Sequence, residues 1–172
     1  MQPLRFSVVG NSGSGKSTLS RRLAAQLGAP LLELDALKHG PRWTPLATEP
    51  FAAQVGRFCE GERWVVDGNY AEVQPLVWAR AQAVLWLALP RRTVMRQLVA
   101  RTLRRTVLRT ELWNGNREQW HFMLRGDHPI RWAWSTYSRR QRDFERLMDA
   151  RWVRLRSRHD VQRWLEAMSP AV

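Results

Sequence analysis

Residues 10–17 read Gly-Asn-Ser-Gly-Ser-Gly-Lys-Ser and match the phosphate-loop pattern G-x-x-x-x-G-K-[ST] without exception. An apolar segment, Leu4–Val9, precedes the pattern, and Leu19, Leu23 and Leu27 follow it at helical spacing. The pattern therefore stands between a strand and a helix, where backbone N–H groups and the positive end of the helix dipole can bind phosphates. This feature restricts the chain to an α/β fold that binds a nucleoside triphosphate.

The positions within this loop predict individual contacts. Lys16 is expected to reach the β- and γ-phosphates, and the hydroxyl of Ser17 is expected to ligate Mg²⁺. The glycines allow left-handed backbone conformations that turn successive N–H groups inward. The residues predicted to bind the nucleotide are Gly10, Asn11, Ser12, Gly13, Ser14, Gly15, Lys16, Ser17 and Thr18.

Apolar strands alternate with helical segments along the rest of the chain. The predicted strands are Leu4–Val9, Leu31–Leu34, Trp64–Val66, Ala83–Leu87 and Trp152–Leu155. This alternation favours a parallel sheet with helices on both faces, a three-layer α/β/α domain. The 172 residues are expected to form one domain, 1–172, with Trp64, Trp86 and Trp152 in its core.

Two carboxylates follow predicted strands, at the edge where parallel sheets bind their ligands. Asp67 comes directly after Trp64–Val66 and is predicted to hold Mg²⁺ through water. The alternative is an aspartate that caps the turn before Gly68. Asp35 is predicted to lie near the acceptor, as a general base for a hydroxyl or as a second magnesium contact. Its alternative is a helix cap or a turn residue.

The positive charge of the chain is concentrated in one stretch. Of 28 basic and 15 acidic residues, residues 91–158 hold 18 and six respectively. Such an excess attracts polyanions or phosphorylated small molecules. Residues 110–129 are polar and contain glycine, which predicts an insertion or a lid.

A long basic helix is predicted within this stretch. Its apolar stripe is predicted to consist of Val94, Met95, Leu98, Val99, Leu103 and Val107. Arg101, Arg105 and Arg109 share another face and could stabilise the charge of a transferring phosphoryl group. The alternatives are a solvated arginine face or ion pairs with Glu111 and Glu118.

Further residues bear on the substrate and the compartment. Trp43 lies in a proline-rich loop and is predicted either to stack on a planar substrate or to anchor the loop. Cys59 is the only cysteine, so no intrachain disulfide can form. Together with the lack of a signal-peptide pattern and of a long apolar run, this predicts a cytoplasmic protein. The spacing of the four histidines does not predict a zinc site.

The chain resembles the P-loop nucleotide-kinase group, which includes shikimate and gluconate kinases. Within that group it looks most like the adenylate-kinase-related proteins labelled DNA topology modulation proteins. The resemblance extends to about residue 110 and rests on Gly10–Thr18, on Leu34-Asp35 with Trp43, on Trp64–Tyr70, and on Leu87–Arg91 with the arginine-rich helix after it.

This resemblance implies a sheet of order 2-3-1-4-5, a lid that carries arginines, and ATP as the donor. It also implies that the loop after Leu155, beginning at Arg156, contacts the adenine. Adenylate kinases follow their Asp-Gly pair with an aromatic residue, a proline and an arginine that grips the monophosphate. Here Asn69, Tyr70 and Ala71 follow it, which weakens the case for a nucleoside monophosphate as the acceptor.

The sequence as a whole predicts a kinase that uses ATP and Mg²⁺ to phosphorylate a small-molecule or nucleotide acceptor. The predicted catalytic residues are Lys16, Asp35, Arg101 and Arg105, the predicted metal ligands are Ser17 and Asp67, and the acceptor is expected near Asp35, Arg42 and Trp43. One alternative is a nucleic-acid-binding NTPase that uses the basic C-terminal half, although the chain lacks a helicase D-E-x-[DH] box. Another is an NTP-binding regulator with weak hydrolysis.

Replacement of Arg101 or Arg105 by alanine is expected to impair catalysis more than stability. Like charges four residues apart destabilise a helix by roughly 0.2–0.5 kcal/mol per pair, so the melting temperature should stay the same or rise slightly. The value of kcat/KM should fall at least ~10-fold, about 1.4 kcal/mol of transition-state stabilisation. Replacement of the arginine by lysine should retain only part of kcat/KM, because a point charge cannot reproduce the forked geometry of the guanidinium group. Thermal melts and ADP release measure both effects, and a large loss of stability with unchanged kinetics would assign these arginines a structural role.

Overall fold

Five parallel strands form a single sheet in the order β2-β3-β1-β4-β5. The computed structural model describes residues 3–108, 110–116 and 129–168. The strands are β1 Arg5–Gly10, β2 Leu31–Glu33, β3 Trp64–Asp67, β4 Ala83–Leu87 and β5 Trp152–Leu155. The predicted strand order and the three-layer α/β/α class are confirmed.

Helices connect these strands, because parallel neighbours require a crossover. They are α1 Lys16–Leu27, α2 Leu34–Lys38, α3 Thr48–Phe58, α4 Gln74–Arg80, α5 Arg91–Val107, α6 Pro129–Leu147 and α7 Arg158–Ala167. Buried residues of α1 and α7 pack on one face of the sheet. Buried residues of α3, α4 and α6 pack on the other face. In the described ranges, none of the helices is both long and apolar enough to cross a membrane.

Aromatic side chains fill the layer between the sheet and α6. Trp64 and Trp86 are fully buried and Trp152 is 8% exposed, which confirms their predicted place in the core. The ring of Trp86 lies 5.5 Å from Phe144 of α6 and 6.5 Å from Trp152, in edge-to-face geometry. Such pairs stabilise a fold by about 0.5–1.5 kcal/mol each beyond the area they bury. This packing holds α6 against the sheet.

Several element boundaries differ from the prediction. The second strand ends at Glu33, and Asp35 lies in the first turn of α2 rather than at a strand end. The sequence predicts the last helix from Val161, with Asp160 as its N-cap, whereas α7 begins three residues earlier, after Ser157. The Ser157 hydroxyl accepts a hydrogen bond from the Asp160 backbone, while Asp160 accepts one from the Ser157 backbone. This capping box satisfies two N–H groups at once, which an aspartate cap alone would not.

The apolar stripe predicted for α5 is correct only in its first half. Val94 and Leu98 are buried, and the next buried position is Thr102. Leu103 and Val107 are 51% and 78% exposed. The buried face of α5 runs through Val94, Leu98 and Thr102, each four residues after the last, so tertiary packing overrides the sequence pattern. Arg109, Glu118 and residues 117–128 of the predicted lid lie outside the described residues.

Gly13 of the phosphate loop lies directly against α5. A Cβ atom at this position would stand 2.8 Å from Leu98 Cβ and 2.9 Å from the carbonyl oxygen of Val94. Its φ of +85° also belongs to the left-handed region that favours glycine. The loop therefore packs on α5 by backbone alone, and this contact sets how close α5 comes to the phosphate site.

Gly13→Ala is expected to destabilise the protein more than Gly28→Ala. Gly28 also has positive φ, +58°, but nothing lies within 4 Å of its would-be Cβ. Left-handed strain alone costs about 1–2 kcal/mol, and both variants carry it. Only Gly13→Ala adds overpacking, typically about 1–3 kcal/mol. Urea unfolding of both variants measures the difference, and equal losses of unfolding free energy would contradict close packing on α5.

Candidate functional site

The phosphate loop runs from the end of β1 to the start of α1, where Lys16 is the first helical residue. The Lys16 ammonium donates to the carbonyl oxygen of Asn11 at 3.1 Å, across the concave side of the loop. Desolvation lowers the pKa of Lys16, and the charges of Asp67 and Asp35 oppose that shift. The lysine therefore lies near the loop backbone and near both carboxylates, and its contact with the β- and γ-phosphates stays a prediction.

Asp67 closes β3 beside the loop and is only 6% exposed. Burial raises its pKa, whereas Lys16 and a hydrogen bond from the Ser17 hydroxyl lower it. Asp35 and Glu33 raise it further. Within the described residues, its buried Oδ1 atom has no hydrogen-bond partner.

These groups fit a magnesium ion. A hard cation would supply the missing partner of Asp67 Oδ1 and would bind the adjacent hydroxyl of Ser17. In the described residues, no group of three or more His, Cys, Asp or Glu forms a complete metal site. Mg²⁺ commonly binds through one or two protein oxygens and completes its octahedron with phosphate oxygens and water. The side chains present suit that mode.

Arg101 and Arg105 extend from α5 into a cavity of about 430 Å³ above the phosphate loop. Arg101 lies 3.3 Å from the hydroxyl of Ser12, and its charge contributes to lowering the pKa of Lys16. Their spacing of four residues places both guanidinium groups on one side of the helix. The structure thus brings these two predicted arginines to the phosphate loop.

Asp35 lies on the other side of Lys16 and accepts a hydrogen bond of 2.6 Å from the Tyr70 hydroxyl. It lines the cavity above the phosphate loop and also a second cavity of about 540 Å³. The second cavity is lined by Gly10, Ser12, Lys16, Asp35, Gly68, Asn69, Tyr70, Ala71, Trp132 and Arg140. Lys16, Ser12 and Asp35 therefore stand where the two cavities meet.

Arg140 of α6 is a site residue that the sequence reasoning missed. Its guanidinium lies 4.4 Å from the centroid of the Trp132 ring. In the described part of the chain it forms no ion pair or hydrogen bond, while Asp35 and Tyr70 oppose the desolvation that lowers its pKa. The sequence contained a signal for it, because Arg140 continues the buried stripe of α6, four residues from both Thr136 and Phe144. An arginine on a buried stripe requires an anionic or aromatic partner.

The first residues of α7 border a third cavity, of about 490 Å³, next to the phosphate loop. Its lining includes Gly15 of the loop and Thr18 of α1, together with Arg158 and His159 of α7. Arg156 does not line this cavity, and its backbone N–H donates to Asp160 at 2.9 Å. The contact of Arg156 with the adenine stays a prediction.

Residues 110–116 contact α2 and the segment that follows it. We call Trp113, Asn114 and Asn116 the latch, because their side chains form hydrogen bonds with residues 33–43. Asn116 accepts from the backbone N–H of Trp43 at 2.8 Å and donates to the carbonyl of Gly40 at 2.9 Å. Asn114 donates to the carbonyl oxygens of Ala36 and His39 at 3.0 and 2.6 Å. The Trp113 indole donates to Glu33 at 3.0 Å.

The latch shapes the predicted acceptor loop. Arg42 and Trp43 both have positive φ, +56° and +59°, a strained conformation for residues with a side chain. Trp43 lines the cavity above the phosphate loop, whereas Arg42 is exposed and does not. Trp43 is thus placed at the site while its backbone is anchored by Asn116.

Comparison with known proteins supports the fold. No family model matches the chain, and no curated protein does. Among solved structures, a shikimate kinase from Bacteroides thetaiotaomicron aligns over 97% of each chain, with a TM-score of 0.62 and 13% identity. A shikimate kinase from Acinetobacter baumannii in complex with shikimate aligns over 95% of this chain and 92% of its own chain, with a TM-score of 0.61 and 15% sequence identity. A gluconokinase from Sinorhizobium meliloti 1021 aligns over 97% of this chain and 94% of its own chain, with a TM-score of 0.51 and 20% sequence identity.

These likenesses establish the fold of P-loop kinases. At such low identity they do not extend to an activity or a substrate, and they do not confirm the narrower resemblance to DNA topology modulation proteins. Residues 3–108, 110–116 and 129–168 carry the fold and the site described above.

Asn116→Ala is expected to release the loop that carries Trp43. The variant removes two hydrogen bonds of a residue that is only 3% exposed, and a lost buried hydrogen bond typically costs about 1–3 kcal/mol. The melting temperature should fall, and amide hydrogen exchange in peptides that cover residues 39–46 should accelerate. The control is Gln54→Ala, at an exposed position of α3. Unchanged exchange at 39–46 would contradict the latch.

Proposed function

We propose that this protein is a kinase that transfers the γ-phosphoryl group of MgATP to a hydroxyl group of a small-molecule or nucleotide acceptor. The observation that carries the proposal is that two cavities meet at Lys16 and Asp35. One cavity contains the phosphate loop, Arg101 and Arg105. The other contains Tyr70 and Arg140. A phosphoryl group beside Lys16 would have its donor in the first cavity and its acceptor in the second, as in-line transfer requires.

The donor side follows from the phosphate loop. The loop backbone and Lys16 would bind the β- and γ-phosphates, and Arg101 and Arg105 would neutralise charge that develops during transfer. Ser17 and Asp67 would hold Mg²⁺, which when bound screens the charge of the phosphate oxygens. The third cavity, beside Arg158 and His159, would take the base. ATP is proposed as the donor because of the likeness to kinases reported above.

The acceptor side follows from Asp35. Its carboxylate would take the proton of the acceptor hydroxyl while the new oxygen–phosphorus bond forms and the bond to the departing ADP breaks. In the described residues no lysine or arginine forms an ion pair with Asp35, so the carboxylate stays available as a base. Arg140 would bind the acceptor by a polar or anionic group, since its guanidinium faces the same cavity.

A nucleic-acid-binding NTPase is the second candidate. One observation favours it: seven arginines of α5 and α6 are exposed, namely Arg92, Arg96, Arg104, Arg131, Arg139, Arg142 and Arg146. Exposed arginines can bind a phosphate backbone in a salt-dependent manner. In contrast, Arg101, Arg105 and Arg140 line cavities of small-molecule size. This arrangement favours the kinase.

A screen of acceptors tests the proposal. Purified protein with MgATP is incubated with hydroxy acids, sugars, sugar acids, nucleosides, nucleoside monophosphates and duplex DNA, and ADP release is measured against the acceptor-free rate. At least one compound with a free hydroxyl should raise the rate. Lys16→Ala should remove most of the increase, because it deletes the cation at the β- and γ-phosphates, while its circular dichroism spectrum stays unchanged.

Other outcomes would reject parts of this proposal. Near-normal turnover by folded Lys16→Ala would contradict phosphoryl transfer at this loop. If only nucleoside monophosphates raised the rate of ADP release, and their phosphate were the group that is phosphorylated, the proposal that the acceptor group is a hydroxyl would be wrong. Stimulation by DNA alone, together with a gel shift that weakens as salt rises, would favour the second candidate.

A further inference from the structure

A chain of hydrogen bonds links Asp35, Tyr70 and His39. Asp35 lines both cavities, Tyr70 lines the second and His39 lines the first. The Tyr70 oxygen lies 2.6 Å from Asp35 Oδ1 and 3.3 Å from Nε2 of His39. In the sequence, Tyr70 belongs to the Trp64–Tyr70 element of the resemblance and departs from adenylate kinases, and the proposed function assigns it no role. Its hydroxyl nevertheless contacts the group to which that function assigns proton transfer.

The direction of these hydrogen bonds follows from the number of protons available. A phenol has one O–H, and a carboxylate oxygen can only accept. Tyr70 therefore donates to Asp35, and His39 donates from Nε2–H to the Tyr70 oxygen. The bond to Asp35 is charge-assisted and has the short length of the stronger class of hydrogen bonds. Burial and the neighbouring Asp35 raise the pKa of Tyr70, so the phenol remains a donor at physiological pH.

The fold holds the middle of this chain, Tyr70, and one end of it, His39. The Tyr70 ring packs edge-on against Phe51 at 5.5 Å, and Phe51 is fully buried. The Tyr70 carbonyl accepts backbone hydrogen bonds from Val73 and Gln74 at the start of α4. His39 is held by its carbonyl, which accepts from Asn114 of the latch. The phenol is thus a fixed donor rather than a mobile side chain.

We propose that Tyr70 is a positioning residue, which with His39 fixes the Asp35 carboxylate so that its other oxygen faces the acceptor hydroxyl. This inference rests on the proposed function, because it needs Asp35 as the base. Asp35 belongs to the short helix α2, and rotation of its side chain would turn the carboxylate away from Lys16. A hydrogen bond to one oxygen removes that freedom, and misplacement of a catalytic group by about 1 Å can cost about 100-fold in rate.

Charged groups from three elements face Asp35 together with Tyr70 and His39. Lys16 of α1 and Arg140 of α6 carry positive charge, and Asp67 of β3 carries negative charge. Coulombic attraction depends on distance and has no angular requirement, so charge alone does not select one side-chain rotamer. The hydroxyl of Tyr70 supplies the directional contact, because a hydrogen bond weakens steeply away from linearity.

The test is a double-mutant cycle with Tyr70→Phe and Asp35→Asn. Tyr70→Phe keeps the ring that packs on Phe51 and deletes only the hydroxyl. The matched control is Tyr137→Phe, which deletes a hydroxyl that donates to the Leu89 carbonyl at 2.7 Å, outside the three cavities. Turnover is measured with MgATP and the alcohol that gives the highest rate in the acceptor screen. If no alcohol raises ADP release above the acceptor-free rate, turnover is measured with water as the acceptor.

Tyr70→Phe should lower kcat roughly 10-fold, with the KM for MgATP within about 2-fold. Asp35→Asn should lower kcat by roughly 10²–10⁴-fold as a lost base. In the Asp35→Asn background, Tyr70→Phe should change kcat by less than about 2-fold, because a residue that acts through another has no separate effect once that other is gone. Tyr137→Phe should leave kcat unchanged within about 2-fold.

Three outcomes separate this inference from the proposed function. If Asp35→Asn lowers kcat but Tyr70→Phe behaves like Tyr137→Phe, the positioning role fails and the kinase assignment stands. If the two effects multiply, Tyr70 acts independently of Asp35 and the inference is wrong. If Asp35→Asn has no effect, the base assignment fails, and the inference fails with it.

A second variant tests the same inference if Tyr70→Phe does not fold. His39→Ala leaves the Tyr70 ring in place and removes the other end of the chain of hydrogen bonds. It should lower kcat in the same direction, by about 3-fold, and this effect should also disappear in the Asp35→Asn background. A kcat loss from His39→Ala that persists in that background would overturn the proposal.

Discussion

The close approach of the phosphate loop to α5 is the contact on which the geometry of the site depends. Without a side chain at Gly13, the loop backbone lies against Leu98 and Val94, and a single added carbon would overlap both. The helix is therefore fixed relative to the loop one turn before Arg101, whose guanidinium reaches Ser12. Arg105 follows one turn further along the same helix face and lines the same cavity. A looser contact would leave these cations on a helix with no defined distance to the phosphates.

The electrostatic balance of the site suits a highly charged ligand. Five cations, Lys16, Arg21, Arg101, Arg105 and Arg140, line the two cavities that meet at the loop, and Arg21 forms an ion pair with Glu33. Asp35 and Asp67 offset part of this charge and oppose the desolvation that lowers the pKa of Lys16. Electrostatic interactions are stronger in such a partly dehydrated site than in water. A polyphosphate with a divalent cation would supply both the anions that the arginines face and the cation that Asp67 Oδ1 lacks.

The group of residues proposed above to bind the acceptor is assembled from segments that are distant in sequence. Asp35 and His39 come from α2 and the residue after it, Tyr70 from the turn after β3, and Arg140 from α6. The latch adds residues 113–116, which hold the carbonyl of His39 and the backbone of Trp43. Asp35, Tyr70 and Arg140 come together there because α2, the turn after β3 and α6 all pack on the same face of the sheet. The donor side is more local, since one continuous loop and the first turn of α1 supply most of it.

The sequence by itself determined the features that depend on neighbouring residues. The phosphate loop, the five strands and the buried tryptophans follow from short-range pattern and hydrophobic periodicity, and the positions of Lys16, Ser17 and Asp67 follow from the loop and the strand ends. The sheet order came from the resemblance to kinases. The tertiary structure alone decided which helix positions are buried and which distant side chains meet at the site. It buried Thr102 rather than Leu103, because the face of α5 that packs on the domain runs through Val94, Leu98 and Thr102, and it brought Arg140 and Tyr70 to Asp35 across 105 and 35 positions of sequence. Contacts of that kind depend on how layers pack, which local pattern does not encode.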